Sequence, residues 1–138
     1  MSRIAQSGRE AIYITKKRPD IGTRELAYLG DAVFELMVRE KLIAEGIPFR
    51  LLGILSDKYV CAKSQSEMYH RIFTKLTHIE QSIIKRGRNL HGATRSKSAC
   101  VSEYRHATGL EVLFGYLHAN GETDRLAEVF EMCVRRKQ

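Results

Sequence analysis

Residues 23–46, TRELAYLGDAVFELMVREKLIAEG, set the terms on which the rest of the chain is read. Leu26, Leu29, Val33 and Met37 recur every three to four residues, and Leu42 prolongs the stripe. Thr23 is a candidate N-cap and Gly46 a stop, so the spacing predicts a long amphipathic helix over about 24–45. Two residues interrupt its apolar logic. Gly30 costs about 1 kcal/mol relative to Ala in a helix interior, which is easiest to explain where another backbone or a ligand comes close. Asp31 stands within Ala27-Tyr28-Leu29-Gly30-Asp31-Ala32-Val33-Phe34, where an ionised carboxylate needs a partner or a cation to offset desolvation. Its i+4 neighbour is another acid, Glu35, and like charges at that spacing repel unless something positive lies between them. On spacing alone, the plainer reading is a solvent-facing Asp31 with Glu35 paired to Arg39.

Outward from this helix the pattern stays helical. After Pro48 a short stretch near 49–57 is followed by a longer one over about 58–75, with Val60, Met68, Ile72 and Leu76 spaced for one face. Thr77 and Glu80 match a capping box that opens a helix carrying Ile79, Ile83 and Ile84 and ending near Gly87. The text KRGRNLHGATRSKS, residues 85–98, is polar and glycine-punctuated and reads from its glycines onward as a loop. Periodicity resumes over 99–119 with Leu110, Leu113, Phe114 and Leu117, halts at Asn120-Gly121, and returns over 123–135 with Leu126, Val129 and Phe130. No alternating run of β-branched residues occurs, so the expected class is all-α with six or seven helices.

With 138 residues, 43% of them hydrophobic, the chain is sized for one core. A globule of that length has a radius of gyration of about 14 Å. No run of about 18 apolar residues exists to span a bilayer. Residues 1–20 carry Arg3, Arg9, Lys16, Lys17 and Arg18 with little periodicity, which suggests a basic, extended or frayed arm. Charges break that segment's apolar positions, so it does not form a signal-peptide core and no export is expected. Cys61, Cys100 and Cys133 form no CxxC pair and no zinc-finger spacing, and are expected to be reduced packing residues.

The balance of 23 Lys plus Arg against 16 Asp plus Glu gives a formal charge of +7, and its placement is informative. From Gln81 to Ser102 there is no acid, while Lys85, Arg86, Arg88, Arg95 and Lys97 supply five cations among Gly, Asn, Ser and Thr. Such a segment offers charge-assisted hydrogen bonds to phosphates, a sequence-independent grip on a nucleic acid backbone. A solvated loop is the plain alternative. Glu111 repeats the situation of Asp31, within Ala107-Thr108-Gly109-Leu110-Glu111-Val112-Leu113-Phe114-Gly115. Thr108 and Gly115 make its face small and polar, with room for a metal ion or a phosphate, unless Glu111 is exposed and paired with Arg105 or His106. His70, His78, His91, His106 and His118 show no ligand spacing and read as surface or packing residues.

Four separated stretches carry a family resemblance. Leu26-Ala27-Tyr28-Leu29-Gly30-Asp31-Ala32-Val33-Phe34-Glu35 is similar to the signature helix of ribonuclease III catalytic domains. Ala62-Lys63-Ser64-Gln65-Ser66-Glu67, Lys85-Arg86-Gly87-Arg88-Asn89 and the run from Tyr104 to Leu117 resemble, in order and spacing, the Mini-ribonuclease III family, the short form without a separate double-stranded-RNA-binding domain. The likeness covers about residues 22–135, leaving residues 1–21 as a basic N-terminal arm and 22–138 as a catalytic domain.

The resemblance implies an all-helical ribonuclease III-like bundle. It further implies a cytoplasmic homodimer that cuts double-stranded RNA with Mg²⁺, Mn²⁺ substituting, in maturation of large-subunit (23S) ribosomal RNA precursors. An organelle form that has lost a transit peptide is the other location it allows. Asp31 falls on the family's signature aspartate and Glu111 on its C-terminal glutamate, which makes them the catalytic and metal-binding pair, with Glu35 and Thr108 in support. Lys63, Gln65, Lys85, Arg86, Arg88, Asn89, Arg95 and Lys97 become the RNA-binding set. The chain departs from the larger enzymes at Ala27 and Thr108, where they carry further carboxylates. Two acids still suffice for Mg²⁺, which keeps several waters and takes remaining ligands from substrate phosphate. A non-catalytic RNA-binding scaffold of the same fold is the alternative that the missing acids favour. A helical DNA-binding module would place its cations along a recognition helix, whereas here they lie mostly in the expected loop.

Overall fold

The computed structural model describes residues 20–90 and 99–135, and among these every regular element is a helix. In chain order they are α1 (Thr23–Ala44), α2 (Phe49–Val60), α3 (Ala62–Ile72), a 3-10 turn (Phe73–Lys75), α4 (His78–Arg88), α5 (Ala99–Ala119) and α6 (Thr123–Val134). The expected all-α class is met, with six α-helices among the described residues. The expected arm lies outside the described residues except for its last positions, and most of the polar loop, 91–98, lies outside them too.

α5 is the central element. It packs along α1 on one side and against α3 and α4 on others. This burial on several sides explains a sequence in which Ala107, Leu110, Val112, Leu113, Phe114 and Leu117 are all interior, with apolar residues around the helix instead of along one stripe. Phe34 of α1, Phe114 of α5 and Phe130 of α6 meet edge-on, with centroids 5.1–6.4 Å apart.

Helix ends follow their residues. Gly46 takes φ 77°, Ile47 donates back to the Leu42 carbonyl, and α1 closes where expected. The N-cap of α1 is Gly22, however, with Thr23 already helical, since extended backbone at Gly22 lets its carbonyl accept the first helical bond from Leu26. The break expected near 57/58 lies instead at Cys61, whose backbone is extended (ψ 153°) and where the Ser64 hydroxyl donates to the Lys58 carbonyl. The capping box at Thr77 forms in full, Thr77 N–H donating to Glu80 at 2.9 Å and Glu80 N–H to Thr77 Oγ1 at 3.1 Å. Glu80 also takes two bonds from Arg125 of α6, at 2.9 and 2.7 Å, and the Arg71 guanidinium donates to the Cys133 carbonyl. Of the cysteines only Cys133 is a packing residue, its thiol pushed up to about 12 by burial. Cys61 and Cys100 are exposed thiols.

Candidate active site

Two glycine crossings place the acids. Where α1 meets α5, a Cβ on Gly30 would collide with the Glu111 carbonyl and stand 2.8 Å from the Gly115 nitrogen. A Cβ on Gly115 would strike the Leu26 carbonyl and come 3.1 Å from Gly30 N. The two backbones therefore touch, a packing that only residues without Cβ permit. On the opposite flank, α4 approaches α5 through Gly87 and Gly109, with the Gly109 Cα 2.8 Å from where a Gly87 Cβ would be. Glu111 thus lies between two points at which α5 is held close to its neighbours.

Asp31 follows Gly30, so the crossing sets it beside Glu111. Asp31 is exposed and Glu111 only partly so. Burial, the Asp31 charge and a hydrogen bond with Asp31, in that order, raise the Glu111 carboxyl from 4.5 to about 8. The raised carboxyl favours a proton held at this pair, in the place between two acids that a cation would otherwise fill. Two oxygen-rich, adjacent carboxyls, one open to solvent, are a donor set suited to a hard divalent cation. Among the described residues no third His, Cys, Asp or Glu joins them.

The other expected site residues divide. Glu35 is drawn to Arg39 at 2.9 Å, the plain alternative the sequence left open, and does not join the acid pair. Thr108 is buried and spends its hydroxyl on the Tyr104 carbonyl at 3.0 Å. The room expected beside Gly115 is taken by the α1 backbone. Glu111 faces Asp31 instead of Arg105 or His106.

Among the basic candidates, Lys63, Lys85, Arg86 and Asn89 are exposed and Arg88 is partly so. Three of these cations crowd the last turn of α4, where they also complement the helix dipole. Gln65 differs: only 2% of it is exposed, so its amide lies within the packing around α3 and not on a surface that a duplex could touch. Arg95 and Lys97 lie outside the described residues. Sequence reasoning missed the meeting of His70 and His106, whose rings lie 4.4 Å apart. Separations of 36 positions carry no periodic signal, and only the α3–α5 packing reveals it.

Comparison with known proteins bears on this geometry. A family model described as the ribonuclease III domain matches residues 24–122. A Mini-ribonuclease 3 of Thermoanaerobacter sp. is 42% identical over 111 residues, 80% of this chain and 78% of that one. A Mini-ribonuclease 3 of Enterococcus faecalis is 38% identical over 114 residues, 80% of this chain and 86% of that one. Among solved structures, the crystal structure of a Fusobacterium nucleatum protein superposes with a TM-score of 0.72 at 30% identity, covering 83% of this chain and 93% of that one.

Proposed function

The chain belongs to the ribonuclease III family, in its Mini-ribonuclease III branch, and from that premise we propose that this endoribonuclease cuts double-stranded RNA with Asp31 and Glu111 as its catalytic pair and Mg²⁺ as the cation they hold. The observation that carries the reading is the coupled Asp31–Glu111 pair at the backbone contact of α1 with α5. When bound, Mg²⁺ or Mn²⁺ supplies a water activated for in-line attack on phosphorus and offsets charge on the leaving 3′-oxygen, giving 5′-phosphate and 3′-hydroxyl ends.

The protein's own part is positional and electrostatic. Asp31, exposed and beside Glu111, would be the carboxylate that a cation meets first, and a bound cation would favour the ionised form of Glu111. Lys63, Lys85, Arg86, Arg88 and Asn89, with Arg95 and Lys97, hold RNA phosphates through contacts that fix position without reading bases. Residues 22–138 make up the catalytic domain in this reading, and 1–21 a basic arm.

A homodimer gives one site per strand of a duplex. Its support is the exposed apolar side chains Tyr28, Leu36 and Ile43 of α1 and Phe49 and Ile54 of α2, the most exposed of which, Phe49, is 89% accessible. The family likeness points to large-subunit ribosomal RNA precursor as the natural substrate. Two exposed thiols and no disulfide among the three cysteines suit the reducing cytoplasm. No described helix is long and apolar enough to cross a membrane.

The test is incubation of the purified chain with a long duplex RNA, with and without Mg²⁺. Metal-dependent cleavage to 5′-phosphate ends supports the reading. Binding without cleavage at any Mg²⁺ or Mn²⁺ concentration would make the chain a scaffold.

A further inference from the structure

A second cluster of titratable side chains lies where α3, α4 and α5 meet. His70 of α3 and His106 of α5 have ring centroids 4.4 Å apart with planes at 53°. The Tyr69 ring touches both, at 5.4 Å from His70 and 4.6 Å from His106, and stacks on Phe73 at 5.8 Å. Tyr69 is 2% exposed, and its hydroxyl, though close enough to Arg88 of α4 to feel its charge, makes no well-formed hydrogen bond. Lys85 of α4 stands over the Phe73 ring at 5.4 Å.

The tautomer of His106 follows from its partner. Its Nδ1 lies 2.7 Å from the Ser102 carbonyl, which can only accept, so Nδ1 carries hydrogen and Nε2 is the atom that gains or loses a proton. The charged groups that bear on it from the neighbouring helices are His70 of α3 and Arg88 of α4. Burial foremost, then these two charges, hold it below the ordinary histidine range against the opposing hydrogen bond to the Ser102 carbonyl. On its own helix Arg105 precedes it, and the acids Glu103 on α5 and Glu67 on α3 stand one turn before His106 and His70 without opposing that effect. Two imidazoles and a guanidinium this close repel one another when charged, unless an anion lies among them.

We propose that His70, His106 and Arg88 form a second phosphate subsite, which holds a backbone phosphate of the RNA when the imidazoles are protonated. It rests on the duplex-RNA reading above and extends it. Phosphate matches the donors: Nε2–H of the His106 imidazolium, the exposed His70 ring and the part-exposed Arg88 guanidinium can each donate a charge-assisted hydrogen bond to it. The exposed Lys85 of α4, over the Phe73 ring that stacks on Tyr69, adds a cation beside the cluster. Binding there takes up protons, and duplex affinity rises as pH falls through the histidine range.

The experiment measures the affinity of a short RNA duplex for the full chain at pH 8 and pH 6 without divalent cations and at fixed ionic strength, for wild type and for His70→Gln/His106→Gln. The expected result is about tenfold tighter binding by wild type at pH 6, with the double variant matching wild type at pH 8 and losing most of that gain. Ring proton resonances of His106 in wild type, which need no variant, should titrate at higher pH when duplex is present. A gain that survives in the double variant, or a His106 titration unmoved by RNA, overturns the subsite while leaving the nuclease reading intact. Failure of wild type to bind duplex at either pH, together with failure to cut it once Mg²⁺ is added, overturns both.

Discussion

Glu111 is the residue whose environment decides most. Burial and Asp31 raise its carboxyl to about 8, so the folded, metal-free protein binds this proton more tightly than the unfolded chain does. For a group raised in this way, the stability contributed is fully present below the unfolded value near 4.5 and is lost as pH climbs toward 8. Metal-free wild type should therefore lose stability across that window, and Glu111→Gln, which keeps the neutral hydrogen-bonding shape, should melt several degrees higher than wild type at pH 8 but not at pH 5. Thermal melts in chelator check this, and equal melting at both values would remove the coupling. In the same variant, and in Asp31→Asn, cleavage should be abolished while duplex binding stays within about threefold of wild type. Raised Mg²⁺ or added Mn²⁺ should partly restore a variant limited by metal occupancy. Glu35→Gln should do little, since the pair it forms with Arg39 is solvent-exposed and such pairs contribute about 0–1 kcal/mol.

At the scale of elements, the acids meet because α1 and α5 touch through glycine. Gly30→Ala leaves both carboxylates in the chain but forces the helices apart, since its Cβ would overlap the Glu111 carbonyl. The expected cost is about 3 kcal/mol or more in denaturant unfolding, together with loss of cleavage. An active, fully stable Gly30→Ala protein would show that the helices can part without separating the acids. The Glu80–Arg125 pair ties the start of α4 to α6 and is enclosed, Glu80 being 5% exposed. Arg125→Ala leaves that carboxylate without its partner and should cost about 3 kcal/mol at neutral pH. The hydrogen bonds from Arg125, then those of Thr77, hold the Glu80 carboxyl below its ordinary value against the opposing effect of burial. That contribution is present above the unfolded value and is lost as pH falls through the folded one, so wild type and Arg125→Ala should converge in stability in acid.

Among the described residues, exposed charge and exposed apolar surface gather on different helices. The last turn of α4 presents Lys85 and Arg86 to solvent, and Arg86→Glu should weaken duplex binding equally for all sequences and reduce the slope of log affinity against log salt by about one unit. An unchanged slope would mean that this turn does not touch RNA. The large apolar side chains left on α1 and α2 call for a partner surface, and sedimentation equilibrium should find a dimer at micromolar concentration. A monomer at every concentration would contradict the two-strand arrangement.

The periodicity of Leu26, Val33, Leu110, Leu113 and Leu117, the capping box at Thr77 and the stops at Gly46 and Gly121 are local signals, and they determined the helical class and most helix boundaries from the sequence by itself. The oddity of Gly30 beside Asp31 was legible too, because a glycine inside a helix and an acid inside an apolar run each carry a cost that something must offset. What offsets them was not legible. That Gly30 rests on the Glu111 backbone, that Glu35 turns to Arg39, that Gln65 is enclosed and that His70 meets His106 are all outcomes of helix packing. The physical reason is range: capping and periodicity act within about one turn of chain, whereas contacts between residues 30 and 111 depend on how closely two backbones can approach, which only the assembled core decides.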